Sequence, residues 1–328
     1  MKKYLFLLLS LQAICSHAQT TRSRTVTLMG SRFDITIVAK DIPTAEAYID
    51  SSIIEISRIE NLISDWIPES QVSQINKFAG IKPVKVDREL LELTQRALYF
   101  SELTDGAFDI SFAAADRVWK FDGSMDTIPS PEAVAESVKK IGHRNIIINE
   151  EEATIFLKLP GMKIGFGATG KGYAADKTKE LMVSKGIEAG IINASGDLNT
   201  WGKQPNGDNW IIGITNPIKE DELFAAYELS GTAVVTSGNY QKFVMIDGKR
   251  YSHIIDPRTG YPSSGLSSVT VFADSAEKAN GISTAIMVLG KKAGLKLLKK
   301  NPDLKGILID DNGRIFYSKK FNIKEYKL

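Results

Sequence analysis

Apolar and polar positions alternate through residues 25–40, where Phe33, Ile35 and Ile37 are separated by Asp34 and Thr36. This is the two-residue period of a half-buried strand, and Met29-Gly30-Ser31 interrupts it, so the stretch predicts two paired strands. After Pro43 the period lengthens: Ile49, Ile53, Ile56 and Ile63 fall on one face of a helix that the proline opens. Ser64-Asp65-Trp66-Ile67-Pro68-Glu69-Ser70 is a polar loop ahead of a short helix ending near Asn76. Asp87 then caps a helix through Leu90, Leu91, Leu93, Ala97 and Leu98 that stops at Thr104-Asp105-Gly106. Further along, the pattern predicts a surface helix over 129–140, a strand pair at 145–148 and 154–159, and a helix through Leu181 to Lys185. Strands follow at 189–193, 210–215 and 225–229, then a hairpin of Phe243-Val244-Met245-Ile246 against Arg250-Tyr251 about the turn signal Asp247-Gly248. A strand at 268–272 and a helix over 275–289 complete the series. Interleaved elements without an internal repeat predict an α+β fold of mixed sheets and packed helices.

The start of the chain is of another kind. Met1-Lys2-Lys3, an apolar run over 4–14 and Ser16-His17-Ala18 form an export signal, with cleavage expected after Ala18 and a soluble periplasmic product. Cys15, the single cysteine, offers the alternative of a lipid anchor, although Ile14 stands where a lipidation motif wants a small residue. Residues 19–328 then form one large domain, or two lobes sharing a core. That region has no cysteine and keeps only His143 and His253, which excludes disulfides, thiolate chemistry and histidine-rich metal centres. Any metal is expected to be a hard ion held by oxygen. Without Lys2 and Lys3, 39 basic residues balance 39 acidic ones, which argues against a nucleic-acid surface.

Candidate chemistry concentrates in two places. The hairpin is framed by Thr236-Ser237-Gly238 and by Asp256-Pro257-Arg258-Thr259-Gly260, read as two loops at the end opposite the Asp247-Gly248 turn. With His253 they gather hydroxyls, a guanidinium and an imidazole, a set able to hold phosphate and move a proton. The second place is Gly165-Phe166-Gly167-Ala168-Thr169-Gly170, followed by Lys171. Its G-x-G-x-x-G spacing fits a dinucleotide oxidoreductase, but Pro160-Gly161 interrupts the strand that motif requires. Read with the helix that follows, it is a pyrophosphate cradle in which backbone amides and Lys171 face an anion. Taken alone, Trp66 reads as core filler or as a stacking platform, Asp109 as a turn or cap residue, and His143 as a surface or packing residue.

The runs Thr236-Ser237-Gly238-Asn239-Tyr240 and Tyr251-Ser252-His253-Ile254-Ile255-Asp256-Pro257-Arg258-Thr259-Gly260, with Lys171-Gly172-Tyr173-Ala174-Ala175-Asp176, resemble the signature of the ApbE-type FAD:protein FMN transferases. The resemblance runs in consistent order from Met29 to about Gly290 and implies a T-fold-like architecture. It implies FAD as substrate, Mg2+, and an exported or membrane-anchored redox protein that receives FMN on a Thr or Ser hydroxyl. It assigns to the cofactor site Met29, Trp66, Ala107, Phe108, Asp109, Lys171, Gly172, Asp197, Thr236, Ser237, Gly238, Ile255 and Asp256, and to catalysis His253. It gives the metal Asn280, Thr284 and the carbonyl of Ala168. Three positions depart from the family: Asn280 and Gly165 replace aspartates, and Ser195 replaces a glycine. The first two leave open weaker metal binding, a carboxylate supplied from elsewhere, or an FAD-binding protein with lost or altered catalysis, such as an FAD pyrophosphatase or a flavin carrier.

Overall fold

The computed structural model describes residues 19–219, 221–239, 242–319 and 321–326, so the segment expected to be an export signal, Cys15 included, lies outside the described residues. Strands β1 (Thr20–Leu28) and β2 (Ser31–Ala39) form the predicted pair, closed by Met29 and Gly30, both in the left-handed region at φ 51° and 64°. Such a two-residue turn matches the twist of the strands it joins. Helix α1 (Ile42–Ile63) follows; the Asp41 side chain accepts from the Thr44 amide, and Ile49, Ile56 and Ile59 are buried without residual exposure. Each such side chain contributes about 2 kcal/mol through burial. Next come α2 (Gln71–Lys77), β3 (Val84–Lys85) and α3 (Arg88–Leu103). Asp87 does stand at the head of α3, yet it makes no side-chain cap: its carboxylate takes the Gln71 amide at 2.6 Å instead.

The predicted surface helix shortens to α4 (Pro131–Ser137), and β4 (Ile146–Asn149) pairs with β5 (Thr154–Leu157). Helix α5 (Gly170–Ser184) leads to β6 (Ala189–Ala194), β7 (Asp197–Trp201), β8 (Trp210–Thr215), β9 (Leu223–Leu229) and β10 (Ala233–Gly238). The hairpin of β11 (Phe243–Ile246) and β12 (Lys249–Ser252) turns at Asp247-Gly248, again with φ positive at both residues. Then follow β13 (Leu266–Ala273), α6 (Ala276–Lys300), β14 (Lys305–Asp310), β15 (Ile315–Tyr317) and β16 (Glu325–Tyr326). Gly290, at φ 76°, breaks α6 next to its predicted end; the chain then resumes as a second helical stretch.

An eight-stranded sheet in the order β1-β2-β6-β7-β10-β13-β14-β15 carries the molecule, and its neighbours pair antiparallel throughout. That pairing excludes the oxidoreductase reading, because β5, ahead of the glycines, belongs to a separate antiparallel sheet and not to a parallel β-α-β unit. Helices α1, α3, α5 and α6 share one apolar core with the sheet. The opposite face meets a second sheet, β16-β9-β8, through Leu198, Val234 and Phe272 against Ile214 and Tyr227.

Candidate active site

At the end of the main sheet, β6 turns into β7 through Ser195 and Gly196, both left-handed, and a cavity of about 1110 Å³ wraps around this end. Serine meets the demand for φ near 53° with help: its hydroxyl donates to the Arg32 carbonyl at 2.9 Å, and the Asn193 side chain accepts from the Gly196 amide at 2.8 Å. The turn therefore keeps its shape without the family's glycine.

Asp197 begins β7 and turns its side chain toward the heads of α5 and α6. Lys171, in the first turn of α5, holds the Asp197 carboxylate at 3.0 Å. Asn280 of α6 donates to the same carboxylate oxygen, which turns its own carbonyl oxygen toward the Thr284 hydroxyl at 3.5 Å, one turn further along. Asp197 is 4% exposed, and burial pushes its carboxyl up to about 6 although Lys171 and Asn280 pull it down. Position 280 thus carries no carboxylate of its own, and its amide contacts a buried one.

The second departure has a comparable neighbour. A Cβ built on Gly165 would lie 3.4 Å from the carboxylate of Asp65, and both residues line the cavity. Nothing in the sequence pattern singles out Asp65, because its relation to Gly165 exists only across the fold.

The aromatic loop and the segment after α3 complete this side. Trp66 is 75% exposed at the cavity, with the Arg117 guanidinium 5.4 Å over its ring, which removes the core-filler reading. Ala107, Phe108 and Asp109 also line the cavity. Asp109 is fixed by the amide and hydroxyl of Ser111 and by the His143 amide, with the His143 ring at 3.2 Å. His143 serves as a packing residue that anchors this wall.

His253 follows β12 and faces the cavity together with Ile255. Its Nδ1 lies 2.8 Å from the Lys242 carbonyl, so Nδ1 carries the proton that donates there and Nε2 is left to accept one. Burial lowers the imidazole pKa below 6.5, partly offset by that hydrogen bond, and keeps the ring neutral at pH 7.

The structure brings together at the cavity Trp66, Ala107, Phe108, Asp109, Ala168, Lys171, Asp197, Thr236, Ser237, Gly238, His253, Ile255, Asn280 and Thr284. Three assigned residues do not line this cavity. Met29 closes the β1–β2 turn, where its amide donates to Glu60 at 3.1 Å. Gly172 abuts α6: a Cβ there would lie 2.6 Å from the carbonyl carbon of Ala276, so this glycine permits helix packing. Asp256 holds its own turn, taking the Arg258 amide at 2.9 Å and the guanidinium at 2.8 and 2.7 Å. Thr236-Ser237-Gly238 is also not a loop. It is the end of β10, paired to β13, and Thr236 bonds Thr270 while Ser237 bonds Ser283, each at 2.8 Å.

One residue that organises the site escaped the sequence reading. Asp176 of α5 accepts from Ser275, Asn199 and the amides of Ala276 and Glu277, at 2.6 to 2.9 Å. It thereby ties α5 and β7 to the first turn of α6, one turn before Asn280. Its place inside the Lys171–Asp176 run was the available signal.

Comparison with known proteins identifies the family. The ApbE family model matches residues 29–308. An FAD:protein FMN transferase of Klebsiella pneumoniae is 31% identical over 90% of this chain and 91% of its own, and one from Treponema pallidum is 29% identical over 89% and 85%. The crystal structure of the ApbE protein of Thermotoga maritima superposes with a TM-score of 0.84 at 30% identity, covering 92% of this chain and 98% of that one. The apo flavinyl transferase ApbE of Pseudomonas stutzeri gives 0.82 at 27% identity, covering 92% and 96%. A family model matched over residues 29–308, relatives similar over most of both chains and a shared fold show that this chain belongs to the ApbE family.

Proposed function

We propose that the protein is an exported FAD:protein FMN transferase, moving FMN from FAD to a Thr or Ser hydroxyl of a partner redox protein. The observation that carries this reading is the joining, in one cavity, of a charged cradle at the head of α5, an exposed aromatic and a histidine whose Nδ1 is held by a backbone carbonyl. The amides at the start of α5 and Lys171 suit the pyrophosphate of FAD, and Trp66 offers its face to the flavin. In the transfer, the acceptor oxygen forms a bond to the FMN phosphorus and the bond from that phosphorus to the AMP oxygen breaks. His253 Nε2 takes the hydroxyl proton, and AMP leaves with the electron pair.

The donor set suits a hard divalent ion: the amide oxygen of Asn280, the Thr284 hydroxyl and the Ala168 carbonyl are all oxygens, with the Asp197 carboxylate beside them. These residues would hold Mg2+, which when bound neutralises charge on phosphate oxygens. Asn280 contributes no charge of its own, so the negative field for the ion comes from Asp197.

The test is to incubate the protein with FAD and Mg2+, with and without threonine-bearing acceptor peptides. AMP together with flavinylated peptide is expected. AMP with free FMN alone would mark a pyrophosphatase, and tight FAD binding without either product would leave a flavin-binding protein.

A further inference from the structure

The cavity extends beyond the residues assigned to FAD. It is also lined by Asp34 and Thr36 of β2, Ile191 and Asn193 of β6, and residues 211–215 of β8. Side chains alternate between the two faces of a strand, so a cavity touching five successive residues runs along the strand's edge. Among the described residues, strand β8 is the outer member of the sheet β16-β9-β8 and pairs on one side only.

The direction of its free peptide groups follows from its neighbours. The Glu228 amide donates to the Lys324 carbonyl on the β16 side, so the peptide groups of Glu228 and, two residues away, Ala226 turn away from β8. Opposite these residues stand Ile211 and Gly213. Their pairs with β9 are the non-hydrogen-bonded kind, which turns their own N–H and C=O toward the open edge. At Gly213 the place of a side chain is taken by Leu223, whose methyl groups would lie 2.9 Å from a Cβ built there. The edge and the Asp197 site open into one space, because Ile214, Thr215 and Asp197 line the same cavity.

The transferase reading, on which this inference rests, needs a second substrate that is a protein hydroxyl, in the same cavity as FAD. We propose that an extended Thr- or Ser-bearing segment of the acceptor protein docks along β8 as an added antiparallel or parallel strand, pairing with Ile211 and Gly213 and lying over β2 and β6. Main-chain pairing holds the segment, and Asp34, Thr36, Ile191 and Asn193 read alternate side chains.

The probe is the threonine-bearing peptide that accepts flavin in the transfer assay. Ile211→Pro removes one edge N–H without touching the β8–β9 ladder and is expected to raise the peptide KM about fivefold to tenfold, with the FAD dissociation constant unchanged. In the unaltered protein, hydrogen exchange at the amides of residues 211 and 213 should slow with peptide and not with FAD alone. An unchanged peptide KM in a folded Ile211→Pro variant, an equal loss of FAD affinity, or no exchange protection by the peptide would each overturn the proposal. Wild-type flavin transfer in the same assay reports separately on the transferase reading.

Discussion

Asp197→Asn is expected to make the metal-free, FAD-free protein more stable at neutral pH while removing activity. The folded carboxyl sits at about 6 against an ordinary value of 3.8, with burial as the leading cause. A charged form that the fold disfavours by that gap costs about 3 kcal/mol, since each factor of ten in proton affinity is 1.36 kcal/mol. The sign follows from proton uptake. Between pH 3.8 and 6 the folded state holds a proton that the unfolded state has released, so this group's contribution to stability falls as pH rises through that window and stays low above it. Asparagine keeps the shape and never ionises. At pH 7 to 8 the variant should therefore gain up to about 3 kcal/mol, roughly 6 °C in Tm at about 2 °C per kcal/mol for a chain of this size. Near pH 4 the gain should vanish. Denaturant unfolding of both proteins across pH 4 to 8 measures the difference, and flavin transfer is assayed alongside. A variant less stable at pH 7, or a difference that does not change with pH, would refute the account of Asp197 as a carboxylate held charged against its burial.

His253→Ala should lower turnover by about 10² to 10⁴ with little change in FAD affinity, and the wild-type kcat/KM should fall on acidification with a midpoint below 6.5, because burial holds the imidazole pKa down. Equal losses of turnover and FAD affinity would instead make His253 a binding residue. Asn280→Asp should raise Mg2+ affinity on the order of tenfold by adding a formal charge to the oxygen set, measured by titration calorimetry; no change would mean that the side chain at 280 is not a ligand of the ion. Gly172→Ala should destabilise the ligand-free protein by about 1 to 3 kcal/mol in denaturant unfolding, because its methyl group would meet the Ala276 backbone at 2.6 Å. An unaltered midpoint there would return Gly172 to the ligand site.

Local patterning was enough for most of the elements. The strand pair at β1 and β2, the isoleucine face of α1, the left-handed stop at Asp105-Gly106 and the Asp247-Gly248 hairpin each depend on neighbours within a few residues, so the chain alone declares them. The run around His253 and the cradle at Lys171 were legible for the same reason: their chemistry is carried by residues adjacent in sequence. What the tertiary structure decided is which of those residues meet. Asp256 and Gly172 sit inside recognisable motifs, yet one closes its own turn and the other makes room for α6. Asp176 caps a helix a hundred residues away, Asp65 stands beside Gly165, and Asp197 meets Asn280, since side chains far apart in sequence come together only once the sheet and helices have packed. The open edge of β8 is likewise invisible in the sequence, because a strand becomes an edge only by what its sheet places, or fails to place, beside it.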